Sequence, residues 1–231
     1  MIPIQDDNPV LRRPLVTYLI MGLCGLAFLW QLSLGREGFR LAMFAFGLVP
    51  AVVSGNSLLP PELDLIPAPL TVVTSMFMHG GLVHLLGNLL FLWIFADDVE
   101  DRLGRIRFAV FYLCCGIAAA MAQVLPRPDS MVPMIGASGA ISGVLSAYAL
   151  MYPHARIAVV MPVFFTLQVF RLRAVLVLGI WFFIQLLSSL MTEPGSGGIA
   201  FRAHLGGFVA GLVLLPLFLP RQHPAQRLPK S

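Results

Sequence analysis

Charge is what this sequence has least of. Asp, Glu, Lys and Arg together make up 11% of its 231 residues, whereas a soluble domain carries about 25%. Apolar residues make up 58%, and the mean hydropathy is +0.86. The missing charge excludes an ordinary water-soluble globule, and the long apolar runs predict a polytopic membrane protein.

Cysteine is also scarce. Cys24, Cys114 and Cys115 all lie inside apolar runs, and their odd number and spacing match neither a disulfide framework nor a zinc site. The sequence also lacks the His-Glu-x-x-His motif of one class of zinc proteases. It has no basic stripe with interleaved aromatic residues, so we predict no nucleic-acid partner.

The apolar residues fall into six runs that are candidates to cross a bilayer, which takes about 20 residues. They lie at about 15–34, 77–96, 106–125, 136–152, 173–191 and 199–219. The fourth run is short and rich in Gly, Ala and Ser. We therefore predict an all-α bundle of six transmembrane helices over residues 15–219.

The segments outside these runs are predicted to differ in character. Residues 1–14 form a polar N-terminal segment, and residues 220–231 form a polar tail. The long connection 35–76 contains proline-rich and apolar stretches, which predicts an interfacial outer loop with short embedded helices. The connection at 153–172 carries three arginines at its edges, and 192–198 is a glycine-rich loop, TEPGSGG.

Basic residues predict the orientation of the chain. If the N-terminus is inside, eleven of the fifteen Lys and Arg residues fall in inside segments and four in outside segments. Cytoplasmic loops carry the excess of Lys and Arg, so both termini are predicted to be cytoplasmic. The second, fourth and sixth helices then enter the membrane from outside.

Polar side chains occur in the first turns of those three helices. The second helix carries His79, His84 and Asn88, the fourth carries Ser138 and the sixth carries His204. Polar groups inside membrane spans are costly and are functional candidates by default. The predicted topology places all three groups at a similar depth below the outer surface.

Ser138 and His204 form a candidate nucleophile and general base. A neutral imidazole can accept the serine proton at neutral pH. Since no Asp or Glu lies in the spans at this depth, we predict a dyad. His84 and Asn88 are four residues apart on one helix face, and with the backbone N–H of Ser138 they are candidate donors to an oxyanion. His79 lies off that face, and we assign it a hydrogen-bonding or loop-fixing role.

Glycines are spaced for close helix packing. Gly139 and Gly143 form one small-xxx-small pair, and Gly207 and Gly211 form another. Such pairs let helices approach closely in lipid. We therefore predict that the fourth and sixth helices pack tightly, as they must if Ser138 is to reach His204.

Taken together, these motifs resemble those of the rhomboid protease family. The family pattern reads here as His79, His84, Asn88; Gly136, Ser138, Gly139; Ala203, His204, Gly206, Gly207; and Glu100, Gly104, Phe108. The resemblance covers about residues 70–211, in order. Any one motif alone is weak, whereas their combination in six predicted helices is specific.

The resemblance implies a water-filled cavity open to the outside and a serine endopeptidase without a cofactor. Its substrates would be transmembrane or membrane-proximal segments of single-span membrane proteins, cleaved within the lipid bilayer. The fifth helix and the TEPGSGG loop would form a gate and a cap. The plain six-helix plan and short N-terminus suggest a bacterial inner membrane, while the physiological substrate is left open.

Two departures from the family pattern affect these expectations. The long first loop lacks the Trp-Arg pair of many members, which leaves its contacts open. Some members carry an aromatic residue one turn after the serine that stacks on the histidine. This chain has Ser142 there, so His204 must be held in another way.

Three other functions fit the sequence less well. A catalytically inactive rhomboid-like protein that binds client helices typically lacks the serine or the histidine, and both are present here. A transporter is disfavoured because no inverted repeat is visible. A metal or haem protein is disfavoured because the histidines show no regular pairing. Ser142 and Ser146 are interpreted as packing residues of a small-residue helix.

Overall fold

A computed structural model describes residues 1–9, 11–191 and 200–220 of the chain. The fold is mostly helical. Its elements in chain order are β1 (Ile2–Asp6), α1 (Leu15–Ser33), α2 (Gly35–Phe46), α3 (Pro50–Val53), α4 (Thr71–Thr74), α5 (Leu82–Leu103), α6 (Arg105–Val124), α7 (Ser138–Met151), β2 (Arg156–Val163), β3 (Thr166–Arg173), α8 (Ala174–Met191) and α9 (Phe201–Phe218). The predicted cap at 192–198 and the tail at 221–231 lie outside the described residues.

Within the described ranges, five helices are long and apolar enough to cross a membrane, namely α1, α5, α6, α8 and α9. The prediction of a helical membrane bundle is thus confirmed. The fourth predicted span is the 14-residue helix α7, about 21 Å long at 1.5 Å per residue. That length is less than the hydrocarbon core of about 30 Å, so a count of six full spans stays a prediction.

Helix α7 is the centre of the bundle despite its length. Every residue from Gly139 to Tyr148 is buried, and α7 packs against α6, α8 and α9. A helix that is shorter than the membrane is thick can begin below one membrane surface, as the sequence predicts for its first residue, Ser138. The short helix therefore fits a reactive group at depth.

The second predicted span, 77–96, differs from the observed helix at both ends. Residues 77–81 form a loop, so α5 begins at Leu82 and continues through a wider turn at Leu92–Ala96. The charged stretch Asp97–Leu103 was predicted to be a connection, but it continues the helix. The helix ends at Leu103 and is followed by Gly104, whose φ of 81° is in the region that favours glycine.

The structure adds a small sheet that the all-α prediction did not include. β1, β2 and β3 pair antiparallel in that order, so the polar N-terminal segment and the 153–172 connection contain strands. Ile157 and Val159 on one face of β2 are fully buried and join the core of the bundle. Their alternation with less buried residues is the period of a half-buried strand, which the search for apolar runs overlooked.

The predicted outer loop is ordered and supports the chain that leads into α7. It contains the predicted short helices, α2, α3 and α4. Leu48 and Met134 exchange two backbone hydrogen bonds, of 3.0 and 2.7 Å, and the Ala51 N–H donates to the carbonyl of Ser130 at 3.0 Å. The approach to Ser138 is therefore held by paired backbone.

At the other end of α5, Glu100 links this helix to α1. Its carboxylate, 2% exposed, accepts hydrogen bonds from the backbone N–H groups of Val16 and Thr17, at 3.0 and 2.7 Å, and from the Thr17 hydroxyl at 2.8 Å. Helix α1 has no capping side chain of its own. Since the first N–H groups of a helix lack intrahelical partners, a carboxylate from α5 caps α1.

We predict that Glu100→Ala lowers the midpoint of thermal unfolding in detergent by several degrees. Removing the carboxylate leaves buried donors unpaired, and hydrogen bonds to a charged group contribute about 1.5–3 kcal/mol each. Glu37→Ala is the control, because Glu37 forms only an exposed ion pair with Arg40, and such pairs contribute little. Equal melting midpoints for the two variants would contradict the capping role.

Candidate active site

The structure brings Ser138 and His204 into direct contact. Ser138 is the first residue of α7, and His204 lies in the first turn of α9. The Ser138 Oγ and His204 Nε2 atoms are 2.7 Å apart, and His204 is 8% exposed. Two residues 66 positions apart in sequence are thus within hydrogen-bonding distance.

Glycines make this contact possible. A Cβ at Gly207 would overlap the carbonyl oxygen of Gly139, and one at Gly211 would overlap backbone atoms of Gly143. Gly206 faces the opposite way and packs against α6. Helices α7 and α9 therefore meet backbone to backbone, which is the close approach that the small-xxx-small pairs predicted.

Gly136 has a different role, at the turn before Ser138. Its φ is 115°, a conformation that disfavours any side chain, and its N–H donates to the Ser75 carbonyl at 2.8 Å. A Cβ here would lie 2.6 Å from His84 Nε2 and 3.6 Å from Asn88 Nδ2. The backbone before the serine thus lies directly beside the two predicted oxyanion donors.

His79 holds Asn88 in place. The His79 Nδ1 atom lies 3.0 Å from the carbonyl oxygen of Phe77. A carbonyl can only accept, so Nδ1 carries the proton and Nε2 is left to accept from Asn88 Nδ2 at 2.9 Å. One amide hydrogen of Asn88 is engaged in this way, and the second remains for another acceptor.

The loop that carries His79 is itself held by Gln31 of α1. The Gln31 side chain is fully buried and makes a paired contact with the His79 backbone. It accepts from the His79 N–H at 3.1 Å and donates to the His79 carbonyl at 3.2 Å. The sequence analysis missed Gln31, although a glutamine inside an apolar run was a visible signal.

His84 is poised as a donor. The Gly80 N–H lies 3.4 Å from His84 Nδ1. With Nδ1 as acceptor, the neutral ring carries its proton on Nε2, the atom that faces the Gly136 backbone. His84 also contacts His79 edge to face, with ring centroids 5.1 Å apart.

Residues of α8 hold His204 in place, although position 142 lacks the aromatic residue that stacks on the histidine in some family members. The His204 Nδ1 atom is 2.7 Å from the Gln185 Oε1 atom. The Trp181 ring lies tilted at 33° to the imidazole, with centroids 5.9 Å apart, and Phe201 meets it edge to face. Ser142 instead donates to the Ser138 carbonyl at 2.7 Å. Neither Trp181 nor Gln185 was predicted.

These side chains line a cavity of about 1000 Å³. Its lining includes Ser138, His204, His84, Asn88 and Gln185, while His79 lies behind Asn88. In the part of the chain that the structure describes, no Asp or Glu lines this cavity. Within the same ranges, no group of three or more His, Cys, Asp or Glu side chains is placed to hold a metal ion. The arrangement offers a hydroxyl, an imidazole acceptor and side-chain donors in one space.

Fold and cavity together define a multi-pass helical membrane protein with a Ser–His pair in a polar cavity of the bundle. The Rhomboid domain model matches residues 68–221, which is more than half of the chain. The chain belongs to the rhomboid family.

Curated relatives support the same assignment. The chain is 29% identical to the mitochondrial Rhomboid protein 1 of Saccharomyces cerevisiae over 159 residues, 65% of this chain and 42% of that protein. It is 35% identical to the Putative rhomboid protease YdcA of Bacillus subtilis over 80 residues, 35% of this chain and 40% of that protein. It is also 31% identical to the human mitochondrial Presenilin-associated rhomboid-like protein over 97 residues, 41% of this chain and 26% of that protein. The matches thus span less than half the length of these relatives.

We predict that Gly207→Ala separates α7 from α9. The added Cβ meets backbone, which cannot move aside as a side chain can, and overpacking costs about 1–3 kcal/mol. The variant should melt at a lower temperature and lose reaction of Ser138 with a fluorophosphonate probe. Gly25→Ala is the control, because a Cβ there meets nothing within 4 Å. If Gly207→Ala labels as fast as Gly25→Ala, the close contact is not needed to assemble the site.

Proposed function

We propose that this chain is an intramembrane serine endopeptidase that uses a Ser138–His204 dyad. The observation that carries the proposal is the 2.7 Å contact between Ser138 Oγ and His204 Nε2 in a polar cavity of a membrane bundle. Family membership supports it, since one matched relative is named a putative rhomboid protease.

The contact geometry suits acyl transfer. His204 Nε2 takes the proton from Ser138 Oγ as the oxygen attacks the scissile carbonyl. The tetrahedral intermediate collapses when His204 returns that proton to the leaving amine, and the acyl group stays on Ser138. Water then attacks the ester, with His204 again as base, and Ser138 regains its proton as the acid product leaves.

The developing oxyanion needs donors that are already in place. His84 offers Nε2–H, and Asn88 offers the amide hydrogen that His79 does not use. The Ser138 backbone N–H, in the first turn of α7, has no intrahelical partner. These three donors come from two elements that meet beside Gly136.

We propose that the substrates are single-span membrane proteins. A transmembrane helix hides its peptide bonds, so cleavage should favour small residues and segments that leave the helical state. Helix α8 is the least buried of the five candidate spans in the described ranges, with 17% of its window buried, which suits lateral entry of a substrate beside it.

The compartment and orientation remain predictions. Matched relatives carry mitochondrial names or come from a bacterium, so similarity alone does not favour the predicted bacterial inner membrane. Cytoplasmic termini are checked by labelling single cysteines introduced near Asp7 and in the outer loop from each side of sealed vesicles. If a cysteine near Asp7 is labelled only from the side opposite the cytoplasmic face, the predicted orientation is wrong.

We expect purified wild type in liposomes to cleave a single-span substrate with a small-residue site, whereas Ser138→Ala and His204→Ala leave it intact. The same variants should fail to react with a fluorophosphonate probe. Substrate that co-purifies with wild type uncut and unlabelled would favour the inactive, client-binding alternative. Cleavage by Ser138→Ala would refute the mechanism.

We further expect His84→Ala and Asn88→Ala each to lower kcat by about 10²–10³, the effect of removing one oxyanion donor. KM should change little, because the donors act on charge that develops after substrate binding. Asn56→Ala is the control, since it removes an amide from the outer loop outside the cavity. An increase in KM at unchanged kcat would assign His84 and Asn88 to substrate binding instead.

A further inference from the structure

We propose that Gln185 of α8 is the positioning residue of the dyad, an uncharged counterpart of the carboxylate in Ser-His-Asp sites. The inference rests on the proposed function and adds a residue that the motifs do not contain. It begins from the 2.7 Å contact between Gln185 Oε1 and His204 Nδ1.

This contact determines which imidazole nitrogen carries the proton. An amide oxygen can only accept a hydrogen bond, so His204 Nδ1 must be the protonated nitrogen. His204 Nε2 is then unprotonated and faces Ser138 Oγ at 2.7 Å. This is the tautomer that a general base needs, and the opposite tautomer would present an N–H to the serine.

Helix α8 presents Gln185 on its packed face. Residues 174, 177 and 178 on this face are buried, and residues 181, 182 and 185 are half-buried, whereas the positions between them are exposed. Trp181 lies one turn before Gln185 and covers the same imidazole. One helix therefore supplies both the hydrogen bond and the ring contact that restrict His204.

A neutral amide suits this depth better than a carboxylate. An ionised carboxylate in an apolar bundle carries a large desolvation penalty. Gln185 can orient the imidazole without that penalty, although it stabilises the imidazolium less than a carboxylate would. It also makes the alignment of His204 depend on the packing of α8 against α9.

The test compares Gln185→Leu and Gln185→Glu with wild type in liposomes. Gln185→Leu should lower kcat by about 10–100-fold, since the base loses its orienting acceptor, with KM within about twofold of wild type. In Gln185→Glu the nearby carboxylate favours the imidazolium. The base is active only when neutral, so the acidic limb of kcat/KM against pH should move to higher pH. Leu187 lies on the exposed face of α8, so Leu187→Ala should change neither kcat nor the pH profile of kcat/KM.

A second readout does not need catalysis. Exchange of the imidazole C2 hydrogen with deuterium, followed by mass spectrometry of the His204 peptide, reports the titration of that ring alone. In a Ser138→Ala background, Gln185→Glu should shift this titration to higher pH. A wild type that does not cleave would refute the proposed function, while the exchange curve would still decide whether Gln185 holds the ring. If Gln185→Leu keeps the wild-type kcat, or Gln185→Glu leaves both pH curves unmoved, Gln185 is not the positioning residue.

Discussion

The site depends on the backbone contact between α7 and α9. Ser138 precedes Gly139 by one residue, and His204 precedes Gly207 by three, so the approach of these glycines sets the distance between hydroxyl and imidazole. Lipid provides no hydrophobic force that would press two apolar helices together. The contact is therefore held by packing at short range, and small residues are the only ones that permit it.

Side chains from other helices surround this contact and direct its polar groups. Gln31 of α1 holds the loop of His79, and His79 in turn holds Asn88. Gln185 of α8 holds His204. An unpaired polar group is costly in the interior of a membrane bundle, and Asn88 and His204 each have a hydrogen-bond partner behind them. The two glutamines supply amide groups that can satisfy such neighbours without adding charge.

The sequence predicted the bundle and the residues that meet in the cavity, because both follow from local signals. Apolar runs show where helices lie, and Ser138, His204, His84 and Asn88 stand out as polar residues within them. Gln185 and Trp181 were missed because their role arises only when α8 packs against α9. The later start of α5 was missed because Gln31, 48 residues before His79, stabilises the loop that precedes it. The sheet was missed because its short strands lack long apolar runs.

Helix α7, which begins with Ser138, is anchored at both ends. At about 21 Å, this helix cannot reach both membrane surfaces by its own length. At its start, the turn at Gly136 is tied to Ser75. Near its end, the buried Tyr148 donates to Asp6 of β1 at 2.5 Å and accepts from Asn8 at 2.9 Å. The sheet that the sequence analysis overlooked thus contributes to the site from the far end of α7, because β1 anchors the helix whose first residue is Ser138.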